Sequence, residues 1–197
     1  QKDYYVWDMC CGVGNLEAKH SNPRRIFMST LDQEDVNIMK AAKICVAAER
    51  FQYDYLNDDI TNDGKIDYTL TNKIPQNLQN VIRDANEGKK KLLVLINPPY
   101  GEATSSDNAA KGVGTAASKT GIAKTKFAEF GMTEFGKARN ELFTQFVARI
   151  AKEIPNAILA MFSTLKYVNT QTMATFREKW KTRYLDGFVV HSKSFDG

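Results

Sequence analysis

The chain is poor in the residues that build covalent or metal-bound frameworks. Its 197 residues include three cysteines and two histidines. Cys10, Cys11 and Cys45 are odd in number and show no C-x-x-C spacing, so neither a disulfide framework nor a zinc site is expected. His20 and His191 alone make a metal centre improbable. No Cys–His or Ser–His arrangement suggests a covalent nucleophile. No apolar run approaches the length of a membrane span, and no signal peptide pattern is visible. The expectation is a reducing, cytoplasmic setting. A strong charge of one sign is also missing: 27 basic against 23 acidic residues leave a net charge of +4. That mild bias is compatible with a nucleic-acid partner and does not require one.

What is present is ordinary globular composition, 43% hydrophobic and 25% charged, in a chain long enough for one domain with a sizeable core. Strand-like and helix-like segments alternate. Strands are expected at Tyr4–Met9, Arg25–Leu31, Phe51–Tyr55, Lys91–Ile96, Ala157–Ser163 and Leu185–His191. A short helix through Leu16 is expected after the first strand. Further helices are expected from Gln33 to about Ala48, from Pro75 to Gly88, from about Arg139 to Ile154 and from Thr172 to about Tyr184. Such alternation predicts an α/β domain with a mainly parallel sheet. The chain begins Gln1-Lys2-Asp3 directly before an apolar run and ends at the turn-like Phe195-Asp196-Gly197, so a fragment of something longer is expected. Residues 102–136 break the rhythm: they are rich in Gly, Ala, Ser, Thr and Lys and hold nearly half of the glycines. A long flexible loop is expected there, either closing over a ligand with Lys111, Lys119, Lys124 and Lys126 near phosphates, or forming a solvated insertion. Lys89-Lys90-Lys91 precedes its strand and reads as a solvated face.

Two strand ends carry chemistry. In a parallel α/β sheet, ligands bind outside the carboxyl ends of the strands. "DMCCGVGNLE", Asp8 to Glu17, follows the first strand. Gly12 and Gly14 permit a tight turn and close backbone approach to a ligand, although a plain strand-to-helix turn needs the same residues. A nicotinamide-cofactor fingerprint would want a third glycine where Glu17 stands. Asp32, at the end of the second strand, has the spacing of an acid that accepts ribose hydroxyls. Its neighbours Glu34 and Asp35 read as first-turn helix charges. Asp54, at the end of the third strand, is either a turn residue or an acceptor for an adenine amino group.

"INPPYG", residues 96–101, closes the fourth strand. Asn97 offers a side-chain carbonyl and Pro98 a backbone carbonyl held at a fixed φ. Tyr100 adds a flat ring. Two rigid acceptors beside an aromatic plate suit a planar amine, whether an adenine or cytosine amino group or an amide nitrogen.

These two motifs, in this order, resemble those of the S-adenosylmethionine-dependent N6-adenine DNA methyltransferases of bacterial restriction–modification systems. The likeness spans nearly the whole chain, with Met9 and Cys10 where that family often has proline and alanine. The resemblance implies an incomplete Rossmann-like class I methyltransferase fold, helices on both faces of a twisted sheet, without a target-recognition domain. It implies S-adenosylmethionine as cofactor and double-stranded DNA as substrate, with specificity or restriction subunits or domains as further partners. It also implies roles. Asp8, Cys11, Gly12 and Gly14 would hold the methionine portion of the cofactor. Asp32 would bind its ribose, Asp54 its adenine amino group, and Tyr55 would pack on the adenine ring. Asn97 and Pro98, with Pro99 and Tyr100 completing the corner, would grip and stack the target base. Phe195, within Ser192-Lys193-Ser194-Phe195, would cover the base's other face, although a core phenylalanine reads equally well. Protein glutamine-amide methylation, RNA adenine methylation and an inactive nucleic-acid-binding module are the alternatives.

Overall fold

The computed structural model describes residues 4–19, 23–99 and 124–190. Five strands form one parallel sheet in the order β3-β2-β1-β4-β5. They are β1 (Tyr4–Asp8), β2 (Ile26–Thr30), β3 (Glu49–Gln52), β4 (Lys91–Ile96) and β5 (Ile158–Met161). Helices α1 (Gln33–Ala41), α2 (Gln76–Asn86) and α3 (Leu142–Glu153) connect them, and the short α4 (Lys166–Asn169) and α5 (Ala174–Lys179) follow β5. This is the α/β Rossmann-like architecture that the alternating pattern predicts.

Side-chain alternation along β1 sorts the core into two layers. Val6 faces α1, where it joins Ile26, Met28, Val36 and Met39. Trp7 and Met9 face the other way, into the larger cluster built with α2 and α3. Helix α2 turns Leu78, Val81, Ile82 and Ala85 inward at i, i+3, i+4 and i+7. Each large side chain buried there contributes about 1.5–3 kcal/mol. The helix ends at Gly88, whose φ of 73° suits a left-handed stop.

Several expected boundaries move. Residues 12–19 form turns, not a short helix, and Leu16 is exposed. Helix α1 stops at Ala41, well before Ala48, because Lys43 and Cys45 take left-handed φ values of 57° and 46°. Arg50 braces this stop: its Nη1 donates to Met39 O (3.2 Å), which also accepts Ile44 N–H (2.9 Å), and to Ile44 O (2.9 Å). β3 lies earlier than Phe51–Tyr55. The Asp54 carboxylate accepts from Leu56 N–H and Asn57 Nδ2, and Asp58 accepts from Asp54 N–H, so a turn has begun by Asp54.

The loop expected over 102–136 is partly core. Residues 101–123 lie outside the described residues. Phe127–Gly131 forms a π-helical turn, and Phe127, Met132 and Phe135 are buried in the main cluster. Phe127 N–H donates to Leu56 O (3.0 Å), and Lys152 Nζ donates to Gly131 O (2.6 Å). Lys124 and Lys126 are exposed beside this turn. The expected sixth strand is not formed over its described part. Residues 181–190 are irregular, and Phe188 and Val189 are more than 80% exposed. Strand propensity expresses packing against neighbours, and no described strand lies beside this segment. The helix expected to reach Tyr184 ends at Lys179, where Trp180 stacks on Phe176. No helix among the described residues is long and apolar enough to cross a membrane.

Candidate functional site

All five carboxyl strand ends share one edge of the sheet, and the register decides which residues meet there. Asp8 lies opposite Met28 on β2 and Leu95 on β4, and Thr30 lies opposite Gln52 on β3. Asn97 therefore follows the partner of Asp8 by two residues. Asp32 and Asp54 likewise stand two residues past the Thr30–Gln52 pair. The fold gathers Asp8, Asp32, Asp54 and Asn97 along one edge. The strand order reverses between β1 and β4, the kind of switch point at which open α/β sheets bind ligands beyond their carboxyl ends.

The glycine turn is tied to β2. Cys11 N–H donates to Ser29 O (3.0 Å), and Gly14 N–H donates to Cys11 O (2.8 Å). Both glycines are left-handed, at φ 51° for Gly12 and 79° for Gly14. They are needed for different reasons. A Cβ on Gly14 would stand 2.7 Å from Met28 Cε and 2.9 Å from Ile44 Cγ2, so this glycine lets the turn pack on the core. A Cβ on Gly12 would meet nothing within 4 Å. Gly12 borders open space, as a backbone approached by a ligand must.

Asp8 is fully buried. One of its oxygens, Oδ1, accepts from Cys10 N–H at 2.9 Å. Burial, and then the neighbouring Glu17 carboxyl, push Asp8 up to about 8. Burial also pushes the Cys10 and Cys11 thiols far up, which removes them as nucleophiles. Cys11 is part-buried, its Sγ 3.9 Å from Met39 Sδ. Glu17 is 2% exposed and folds beneath the turn. Sequence reading singled it out only as a missing glycine, since nothing local distinguishes a buried acid from a solvated one.

Asp32 is exposed at the N-cap of α1 and makes no side-chain cap hydrogen bond. Its neighbour Asp35 accepts from Thr30 Oγ1 (2.8 Å), a local role. Asn97 and Pro99 are exposed and Pro98 is buried. Phe162 N–H donates to Ile96 O at 3.0 Å, fixing the strand end just before them. Tyr100 and Phe195 lie outside the described residues, as do Lys111 and Lys119.

Tyr55 departs from its expected place at an adenine ring. Alternation past β3 sends Tyr53 and Tyr55 into the core while Asp54 stays half-buried at the edge. Phe146 stacks on Tyr55 at 5.6 Å, and Trp7 meets it edge-on at 5.7 Å. Its hydroxyl donates to Glu153 Oε2 at 2.7 Å. Glu153 also takes the Tyr68 hydroxyl and pairs with Arg149, which is fully buried. Arg149 in turn donates to the Tyr53 hydroxyl (2.7 Å) and to the carbonyls of Tyr55 and Asp58. This network clamps the segment bearing Asp54 to α3. An Arg–Glu pair at i, i+4 is legible in sequence, but its burial is not.

No protein-family model matches the chain, and no curated protein sequence matches it. Among solved structures, it is similar in fold to a chain of the "cryoEM structure DrdV-DNA complex". The TM-score is 0.53 at 14% identity, over 90% of this chain and 19% of that one, so this chain spans about a fifth of that chain's length.

Proposed function

We propose that this chain is the catalytic core of an enzyme that transfers a methyl group from S-adenosylmethionine to the exocyclic amino group of adenine in DNA. The observation that carries this reading is the adjacency of two strand ends. The β1–β4 pairing places the glycine turn, with open space at Gly12, beside the Asn97-Pro98 corner. A structure of like fold is described as a DNA complex, which supports DNA as the substrate class.

The residues fit the cofactor. Asp8 and Glu17 carry buried carboxylate oxygens without a donor, which suit a ligand's cationic end. The exposed Asp32 carboxylate suits ribose hydroxyls. Asp54 holds Leu56 N–H and Asn57 Nδ2 and retains lone pairs for an adenine amine. The cofactor, when bound, supplies an electrophilic sulfonium methyl group. Asn97 Oδ1 and the Pro98 carbonyl accept the two N–H groups of the target amine. That draws the nitrogen toward tetrahedral geometry and frees its lone pair for attack. Positioning and electrostatics carry such a step without a covalent enzyme intermediate. A duplex adenine must be flipped out to reach the corner.

The test is transfer of labelled methyl from the cofactor to plasmid DNA, followed by mapping of the modified base. Label on adenine N6, lost with Asn97→Ala while cofactor binding survives, is the expected result. Undiminished transfer by Asn97→Ala refutes the assignment of the corner. Label on protein glutamine or on RNA refutes DNA as substrate.

A further inference from the structure

The candidate cofactor residues occupy one half of the sheet edge. Asp8, Asp32 and Asp54 follow β1, β2 and β3, which are neighbours in the sheet. Asn97 and Pro98 follow β4, and beyond β4 the described sheet has only β5. A cofactor lying over the first three strand ends leaves one side of the Asn97-Pro98 corner, along that edge, for the rest of the target molecule. That side is the carboxyl end of β5.

The register brings β5 level with the corner. Ile96 lies opposite Met161, and the ladder runs on past this pair, because Phe162 N–H donates to Ile96 O at 3.0 Å. Phe162 therefore stands beside Asn97 on the neighbouring strand. Residues at one register level of a sheet leave it on the same face, and successive residues leave on opposite faces. Met161 accordingly packs on the main core cluster, whereas Phe162 joins neither cluster and is 40% exposed. Among the described residues it meets no other ring. The rings that follow it behave differently: Tyr167 meets Phe143 and Trp180, and Trp180 stacks on Phe176. Leu165, in the turn after β5, is exposed as well. The charged residue nearest to Phe162 in the chain, Lys166, pairs with Glu141 at 3.0 Å.

A single exposed ring is common on protein surfaces and by itself means nothing. This one stands at the register level of the amine-binding asparagine, on the side of the corner that the cofactor leaves open. A target amine held by Asn97 Oδ1 and the Pro98 carbonyl belongs to a base that has left its stack, and an aromatic face replaces part of the stacking lost. We propose that Phe162 is a substrate-binding residue, the plate at the carboxyl end of β5 against which the flipped target base packs. The inference rests on the function proposed above and adds a base contact to it. Every base has a π-face, so such a plate contributes affinity for the extruded base and not the choice of DNA sequence.

The experiment is the kinetics of labelled methyl transfer to plasmid DNA by the full chain and by Phe162→Ala, Phe162→Leu and Phe162→Tyr. Calorimetry with S-adenosylhomocysteine, the cofactor without its methyl group, and thermal melts accompany it. Phe162→Ala should lower kcat/KM for DNA about 10- to 100-fold. Its affinity for S-adenosylhomocysteine and its melting temperature should stay at the parent values, because the side chain belongs to neither core cluster. Phe162→Tyr keeps the ring and should restore transfer, whereas Phe162→Leu keeps only apolar bulk and should restore part of it. Undiminished transfer by Phe162→Ala, while Asn97→Ala abolishes it, overturns this inference and leaves the proposed function standing. A Phe162→Ala loss matched by an equal loss of cofactor affinity or by a lowered melting temperature makes the residue structural and overturns it as well, as does full rescue by leucine. Failure of the parent chain to methylate DNA overturns this inference and the proposed function together.

Discussion

Replacing Gly14 with alanine tests how the turn is built. Gly14 sits at φ 79°, a region in which a side chain costs about 1–2 kcal/mol. The added Cβ would lie 2.7 Å from Met28 Cε, 2.9 Å from Ile44 Cγ2 and 3.1 Å from Met39 Sδ. Met28 and Met39 are fully buried, so their ends have no solvent to move into. Methionine is adaptable, which puts the overpacking penalty toward the lower part of the usual range of about 1–3 kcal/mol. The sum is about 3 kcal/mol. For a chain of this size that lowers the melting temperature by roughly 6–12 °C. Gly12→Ala is the internal control: its φ is also left-handed, but its Cβ meets nothing within 4 Å. It should cost only the backbone component, about 1–2 kcal/mol, and should instead weaken S-adenosylhomocysteine. Thermal melts and calorimetry on both variants decide. A Gly14→Ala protein melting within about 2 °C of its parent would refute the packing argument.

Two further outcomes are expected. The proton on Asp8 is held more tightly in the folded than in the unfolded chain, because its carboxyl is raised from 3.8 to about 8. The native state therefore binds more protons across that window, and stability falls as pH rises through it and levels off above. Asp8→Asn should flatten the slope of urea midpoint against pH between about 5 and 8, and an unchanged slope refutes the buried acid. Glu153→Ala strands the buried Arg149 guanidinium and should destabilise the fold by about 3–5 kcal/mol. A loss below about 1 kcal/mol in urea unfolding would show that the ion pair is not held in the core.

Much of the architecture was readable because its signals are local. The apolar spacing of Leu78, Val81, Ile82 and Ala85 belongs to a helix whatever surrounds it. The unbroken apolar run from Leu92 to Ile96 marks a central strand. Boundaries were less readable where a distant residue sets them. Helix α1 ends where Arg50 bonds Met39 O in its last turn and Ile44 O just beyond it. Phe127 leaves a glycine-rich stretch to enter the main apolar cluster, where Leu56 O accepts its N–H. The Leu185–Val190 segment reads as a strand, yet a strand exists only beside a neighbour.

For the candidate site the division is similar. The sequence by itself determined which groups stand at strand ends: Asp8 and the glycine turn after β1, Asp32 after β2, Asp54 after β3, and Asn97-Pro98 after β4. Alternation and turn chemistry need only near neighbours along the chain. Only the tertiary structure decided that β1 and β4 are adjacent and that Gly14 serves packing while Gly12 borders open space. It also decided that Tyr55 belongs to the core and that Glu17 is buried against Asp8 without a donor. Those facts depend on burial and on contacts between residues far apart in the chain, and no local pattern encodes which face of a turn will be covered.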